Sequence, residues 1–268
     1  MDYAVAMKSI VPLRKEPSDG SERVDEILFG MTSQILSQEG NWYYIRTFYN
    51  YEGYVDKKNV IVISEGEEKR WKEEASFYVS QSSADVLKEP KFNSPIIVDA
   101  LRGTFLKVTG EMSESWSKVV LPDGKCGWIY THFIKKLIKY DLSYEEKIRE
   151  NLVKTAEMYM STQYRWGGKS PLGIDCSGLC FMAYLLNGFV IFRDAELKEE
   201  YMKRISFDNI KKGDLVYFPG HVAMYTGNGK YIHSNGKSHC VAVNSFNKED
   251  NDYRSDLANS ILGVGSIF

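Results

Sequence analysis

The spacing of hydrophobic and polar positions changes partway along the chain. Through the first half, short alternating runs are broken by Gly, Pro, Asn and Asp, which predicts short strands with one face buried. The charged stretch Glu65–Glu74 interrupts them and reads as a solvated linker or a short helix. After residue 143 the period lengthens. Ile148, Leu152, Ala156 and Tyr159 fall on one face and predict a helix over 144–160, with Ser143 as its N-cap and Glu146 closing a capping box. A second helix is predicted for the apolar run Leu179–Leu186. Beyond it, Leu215–Phe218, His221–Tyr225 and Lys230–Ser234 are separated by Pro219-Gly220 and by Thr226–Gly229. They read as consecutive antiparallel strands joined by short hairpins.

The first half is also a repeat. Lys15-Glu16-Pro17 recurs as Lys88-Glu89-Pro90, and Leu28-Phe29-Gly30 as Leu101-Arg102-Gly103. Trp42 followed by Gly53-Tyr54-Val55 recurs as Trp116 followed by Gly127-Trp128-Ile129. The offset stays at 73 or 74 residues, so a whole structural unit is duplicated.

The chemistry concentrates around Gly173-Ile174-Asp175-Cys176-Ser177-Gly178-Leu179. Asp175 or Ser177 can cap the apolar helix, and Gly173 and Gly178 let the backbone turn sharply, which puts the Cys176 thiol at a helix N-terminus. The positive end of the helix dipole favours thiolate there, and the unpaired N–H groups can hold an oxyanion. A nucleophilic cysteine needs a base. His221 and His233 lie in neighbouring predicted strands about 5 Å apart, so one can act as base and the other can orient it. Cys180, one turn beyond Cys176, reads as a small buried hydrophobe. Cys126 and Cys240 read as structural, and His132 and His239 as surface or loop residues. Cys176, Cys180 and two histidines lack a paired zinc-ligand spacing.

These residues fall into an ordered set. Tyr164-Arg165-Trp166-Gly167-Gly168, Asp175-Cys176-Ser177-Gly178, Gly213-Asp214-Leu215-Val216, Gly220-His221-Val222-Ala223 and Ile232-His233-Ser234 resemble the signatures of the NlpC/P60 cysteine peptidases, a papain-like superfamily. The resemblance spans roughly residues 145–268 and implies Cys176 as nucleophile, His221 as base and His233 as orienter. The repeated unit resembles bacterial SH3 (SH3b) domains, through Trp42-Tyr43-Tyr44-Ile45 with Gly53-Tyr54-Val55, and through Trp116-Ser117-Lys118-Val119 with Gly127-Trp128-Ile129.

Two SH3b copies before such a domain resemble the γ-D-glutamyl-L-diamino acid endopeptidases. That resemblance implies cleavage of murein stem peptides carrying a free N-terminal L-Ala, as in cell-wall peptide recycling. It implies Asp194 as the anion facing the L-Ala ammonium, with Ala195 where relatives often carry serine. Trp166 and Ser177 are implied as pocket walls. A tyrosine of the first SH3b copy is implied at the amine end, with Tyr51 preferred to Tyr49. The expected architecture is α+β: SH3b domain 1 over residues 1–64, a linker over 65–75, SH3b domain 2 over 76–138, and a papain-like catalytic domain over 139–268.

Composition narrows the alternatives. A net charge of −2 leaves no basic stripe for phosphates, so a nucleic-acid partner is not expected. Four cysteines without a regular framework do not suggest a disulfide scaffold. No signal-peptide pattern and no run of about 20 apolar residues is visible, so the expected setting is the cytoplasm, without a membrane partner. No cofactor is implied, and no obligate protein partner is evident. The competing readings are a secreted hydrolase anchored to polymeric murein by its SH3b copies, a non-catalytic murein-binding protein, and an amidase or acyltransferase on the same fold.

Overall fold

The computed structural model describes residues 1–138 and 140–268; residue 139, where the sequence places the start of the catalytic domain, lies outside the described residues. The chain divides into two compact units, Met1–Leu137 and Ile138–Phe268.

The first unit contains two seven-stranded antiparallel sheets. The strand order in the first is Arg23–Leu28, Ile10–Arg14, Glu52–Asp56, Trp42–Thr47, Thr32–Glu39, Asp2–Ala6, Val60–Ser64. The second runs Ile96–Leu101, Ser83–Leu87, Cys126–Tyr130, Trp116–Val120, Phe105–Ser113, Phe77–Val79, Ile134–Lys136. The two orders match strand for strand, so the sequence repeat is a repeat of topology. Alternation sends Val11, Leu13, Ile45 and Val55 into the first core, and Val86, Val119 and Ile129 into the second. The cores are not sealed from each other. Phe29 and Met7 of the first barrel pack into the apolar cluster of the second.

The charged stretch between the barrels is helix α1, Glu65–Glu74, and it is not merely solvated. Ser64 and Glu67 form a reciprocal capping box at its start. Trp71 donates its indole N–H to the Gly30 carbonyl at 2.8 Å, and the buried Glu68 accepts from the Thr32 hydroxyl at 3.1 Å. Of the two readings, solvated linker or short helix, the helix is the one formed, and one tryptophan and one buried carboxylate fix it onto the first barrel.

The second unit begins with helix α2, Glu145–Glu157. Ile148, Leu152 and Ala156 are fully buried, as their spacing requires, and Tyr159 follows the helix end, also buried. The cap differs from expectation. Tyr144 is the N-cap residue and makes no side-chain cap bond, while Asp141 accepts the Ser143 N–H at 2.8 Å in a preceding 3-10 turn, Leu142–Tyr144. The earlier aspartate competes for the serine position, so the Ser143–Glu146 box does not form.

A six-stranded antiparallel sheet follows, in the order Lys203–Ile205, Gly263–Ser266, Leu215–Phe218, His221–Gly227, Lys230–Asn235, Cys240–Ser245. Its hairpins use the turns their residues favour. Pro219-Gly220 joins paired Phe218 and His221, with Gly220 at φ 63°. Asn228-Gly229 joins Gly227 and Lys230, both turn residues at positive φ. Helix α3, Cys176–Leu185, packs against the strands His221–Gly227 and Lys230–Asn235 and against α2, and all ten of its residues are buried. A helix apolar on every side suits such a central place. The Gly213-Asp214 motif ties these layers together. Tyr184 of α3 donates to the Gly213 carbonyl at 2.6 Å, and Arg149 of α2 meets Asp214 at 2.7 Å.

Candidate active site

Cys176 is the first residue of α3. Of the two possible caps, Asp175 takes the role, accepting the Gly178 N–H at 2.6 Å. The glycines serve close approach and not the sharp turn expected of them. A Cβ on Gly178 would collide with the Gly168 carbonyl oxygen, and one on Gly173 would run into the Arg165 side chain. The helix start is therefore pressed directly against the Tyr164–Gly168 loop.

The two histidines meet. His221 Nε2 lies 2.7 Å from His233 Nδ1, their rings near-perpendicular at 71°. His233 Nε2 in turn lies 2.9 Å from Asn244 Oδ1. The backbone N–H groups of Val222, the residue next to His221, and of Ser177 favour the charged form of the Cys176 thiol. One edge of the central sheet strands and the first turn of α3 thus bring thiol and imidazoles into one cluster.

Ionisation in this cluster is set by burial. Cys176 is 7% exposed, and desolvation first, then the neighbouring Asp175 charge, pushes its thiol up to about 11. The two N–H groups and Arg193 pull the other way but do not win. Burial first, then the adjacent His233, lowers His221 to about 3; burial also lowers His233 to about 4 against the opposing Asn244 bond. The N–H group at the helix start acts in the direction expected of it, and burial opposes it. Burial thus favours the neutral form of both thiol and imidazole. Cys180, 1% exposed, has its thiol raised well above the ordinary value by burial.

Beside the thiol sits a buried ion pair that sequence reasoning missed. Arg193 grips both oxygens of Asp175, at 3.0 and 3.1 Å, and donates to Ser177 Oγ at 2.8 Å and to the Gly168 carbonyl at 3.2 Å. Ser177 donates to Asp175 Oδ1 at 3.2 Å, so its hydroxyl belongs to this network. Asp194, the next residue after Arg193, is exposed, and the anchored guanidinium fixes the backbone that carries it. Trp166 is 60% exposed in the loop pressed on α3. Tyr164, in the same loop, is pushed up to about 12 by burial first and then by Cys176 and Asp175. Its position in the first motif was the available signal.

In the first unit, Tyr49 is buried and donates to Asp25 at 2.5 Å. Tyr51 is half-buried beyond a left-handed Asn50 and donates its N–H to Thr47 Oγ1 at 2.9 Å. His132 and His239 are exposed, and Cys126 and Cys240 are free thiols on strands. Among the described residues no group of three or more His, Cys, Asp or Glu is arranged to hold a metal ion.

A capped cysteine at the start of a helix that packs on two adjacent antiparallel strands carrying a histidine pair, preceded in the chain by two SH3-like barrels, defines a papain-like peptidase class. The chain belongs to the NlpC/P60 family and is a cysteine peptidase of peptidoglycan peptides. The NlpC/P60 family model matches residues 161–256, and the bacterial SH3 domain model matches 10–61 and 82–135. The chain is 43% identical to Dipeptidyl-peptidase 6 of Lysinibacillus sphaericus, over 99% of each protein. It is 24% identical to a gamma-D-glutamyl-L-lysine dipeptidyl-peptidase of Bacillus cereus, over 83% of this chain and 70% of that protein. The crystal structure of an NlpC/P60 family protein from Bacillus cereus superposes with a TM-score of 0.81 at 18% identity, over 98% of both chains, and shares the fold.

Proposed function

We propose that this chain hydrolyses the amide between γ-D-Glu and the diamino acid in L-Ala-γ-D-Glu-diamino acid peptides with a free N-terminal amine. The observation that carries the reading is the 43% identity to Dipeptidyl-peptidase 6 along essentially the whole of both proteins, barrels included. The name of the Bacillus cereus relative, a gamma-D-glutamyl-L-lysine dipeptidyl-peptidase, points to the same bond.

In this reading Cys176 Sγ attacks the γ-carbonyl while His221 Nδ1 takes the thiol proton. N–H groups of the first α3 turn stabilise the oxyanion. His221 then passes the proton to the leaving amine, which departs with the diamino acid and leaves an acyl-enzyme. Water, deprotonated by the same imidazole, releases L-Ala-D-Glu and restores the thiol. His233 orients His221 throughout. Asp194 is assigned to the substrate ammonium on the family resemblance, and it follows Arg193, whose guanidinium is anchored on Asp175 and Ser177. Trp166, Ser177 and Tyr51 are assigned to the substrate walls on the family resemblance. The proposed setting is the cytoplasm, where released wall peptides are reclaimed.

The test is mass spectrometry of products from free and glycan-linked stem peptides, with Cys176→Ala as control. Release of L-Ala-D-Glu from free peptides alone supports the assignment. Preference for intact sacculi would favour an anchored wall hydrolase, and another scissile bond would overturn the assignment.

A further inference from the structure

Two side-chain amides converge on one ring nitrogen of His233, and they make opposite demands on it. Asn244 presents Oδ1 at 2.9 Å from Nε2, and its orientation is fixed because its Nδ2 donates to the Asp252 carbonyl at 2.7 Å. Asn235 presents Nδ2 at 3.0 Å from the same nitrogen, and its orientation is fixed because its Oδ1 accepts the Ser238 N–H at 2.8 Å. An acceptor calls for a proton on Nε2; a donor calls for a lone pair there. One neutral imidazole cannot satisfy both.

The choice propagates. If Nε2 carries the proton, Nδ1 of His233 is a bare acceptor, and the 2.7 Å contact makes His221 donate from Nε2. Nδ1 of His221 is then bare and can accept the thiol proton. If Asn235 prevails, every proton in the relay moves over. His233 donates from Nδ1, and His221 carries its own proton on Nδ1, facing the thiol with nothing to accept it. The first state is competent and the second is not.

We propose that Asn244 is a positioning residue that holds His233 in the Nε2-protonated tautomer and so keeps His221 in its base-competent tautomer, against the opposing pull of Asn235. The register supports this placement. His233 pairs with Ala242, so Asn244, two residues on, shares the face of the sheet that carries the His233 ring. Asn244 lies outside the motifs that singled out the cysteine and histidines. The inference rests on the assignment of Cys176 and His221 made above.

The experiment reads tautomers directly, by ¹⁵N NMR of histidine-labelled full-length Cys176→Ala protein at neutral pH. Both His221 and His233 are expected to show a protonated Nε2 and a bare Nδ1. Adding Asn244→Leu should move both protons to Nδ1, whereas Asn244→Asp, which keeps an acceptor, should not. With Cys176 restored, Asn244→Leu should lower kcat by roughly ten- to a hundredfold at little changed KM, as loss of an orienting partner of a functional histidine does. A second change, Asn235→Ala, should recover part of that kcat, which a merely structural role for Asn244 would not produce. His233 protonated on Nδ1 in the starting protein overturns the proposal, as do unchanged tautomers in Asn244→Leu or a missing rescue. The starting spectrum decides even if a variant fails to fold. Failure of the peptidase assignment would show instead as turnover surviving in Cys176→Ala, with the tautomers still readable.

Discussion

Arg193 and Asp175 form a bidentate ion pair one residue away from the thiol, with both side chains almost wholly buried. The same carboxylate caps α3 through the Gly178 N–H, so a single side chain starts the helix and holds the arginine. Removing the arginine leaves an uncompensated buried charge at the helix start. Arg193→Leu should therefore cost about 3–5 kcal/mol of stability, read by urea or thermal denaturation. Arg193→Lys should cost less, because it keeps the charge and loses the paired geometry.

Cys176→Ala should abolish turnover while leaving the thermal transition near its original value. His221→Ala should be nearly as severe. His233→Gln should retain partial activity, since an amide oxygen can still accept the His221 Nε2 proton. Steady-state kinetics on a free stem peptide check all three. A His233→Gln enzyme as fast as the unaltered one would remove His233 from the mechanism.

The buried imidazoles make stability depend on pH in a definite sense. Unfolded, each binds a proton near 6.5; folded, His221 holds out to about 3 and His233 to about 4. Between those values the unfolded chain binds more protons, so stability rises with pH there. The histidines' contribution is complete above about pH 6.5 and is lost as pH falls through the window. The midpoint of thermal unfolding should drop on acidification below pH 6, and His233→Gln should flatten that slope. The acid limb of kcat/KM should lie well below pH 6.5, because the base stays neutral.

Asp194 is exposed, which bounds what its charge can contribute. A charge-assisted hydrogen bond is worth about 1.5–3 kcal/mol, and an exposed ion pair at most about 1 kcal/mol. Asp194→Asn should reduce kcat/KM on a free peptide about tenfold and leave an N-acetylated peptide unaffected. Equal ratios of free to acetylated efficiency in the two enzymes would show that Asp194 does not read the amine.

Gly178→Ala tests the packing of the helix start. The added methyl has to displace the Gly168 carbonyl and press on the Asp175 carboxylate, both fixed by other bonds. Overpacking of this kind costs about 1–3 kcal/mol. Activity should fall further than stability alone explains, since Cys176 rides on the same turn.

What the sequence disclosed is what local pattern controls. The cap-and-glycine run placed Cys176 at a helix start, and Pro219-Gly220 with Asn228-Gly229 placed His221 and His233 on adjacent strands. The repeat was visible because both copies keep the same residues at the same turns. What stayed hidden depends on partners distant in the chain. Arg193 meets Asp175 only when folding brings together residues 18 apart in the chain, and Asn244 has no motif around it. The opposing effect of burial on the thiol was hidden for a related reason: a dipole can be read from a helix start, but burial requires the whole core. Ser143 lost its capping role to a local competitor, Asp141, two residues earlier.

Phe29 belongs by sequence to the first barrel and by packing to the second. A duplicated module normally keeps its independence and can be copied, moved or dropped. Here one copy has lent an aromatic ring to the other's interior, and α1 fastens the connecting segment down through Trp71. Excising the first barrel would leave a void in the second, and excising the second would strand Phe29 in water, so the pair should be inherited and melt as one body. A tandem that began as two interchangeable beads has become a single part.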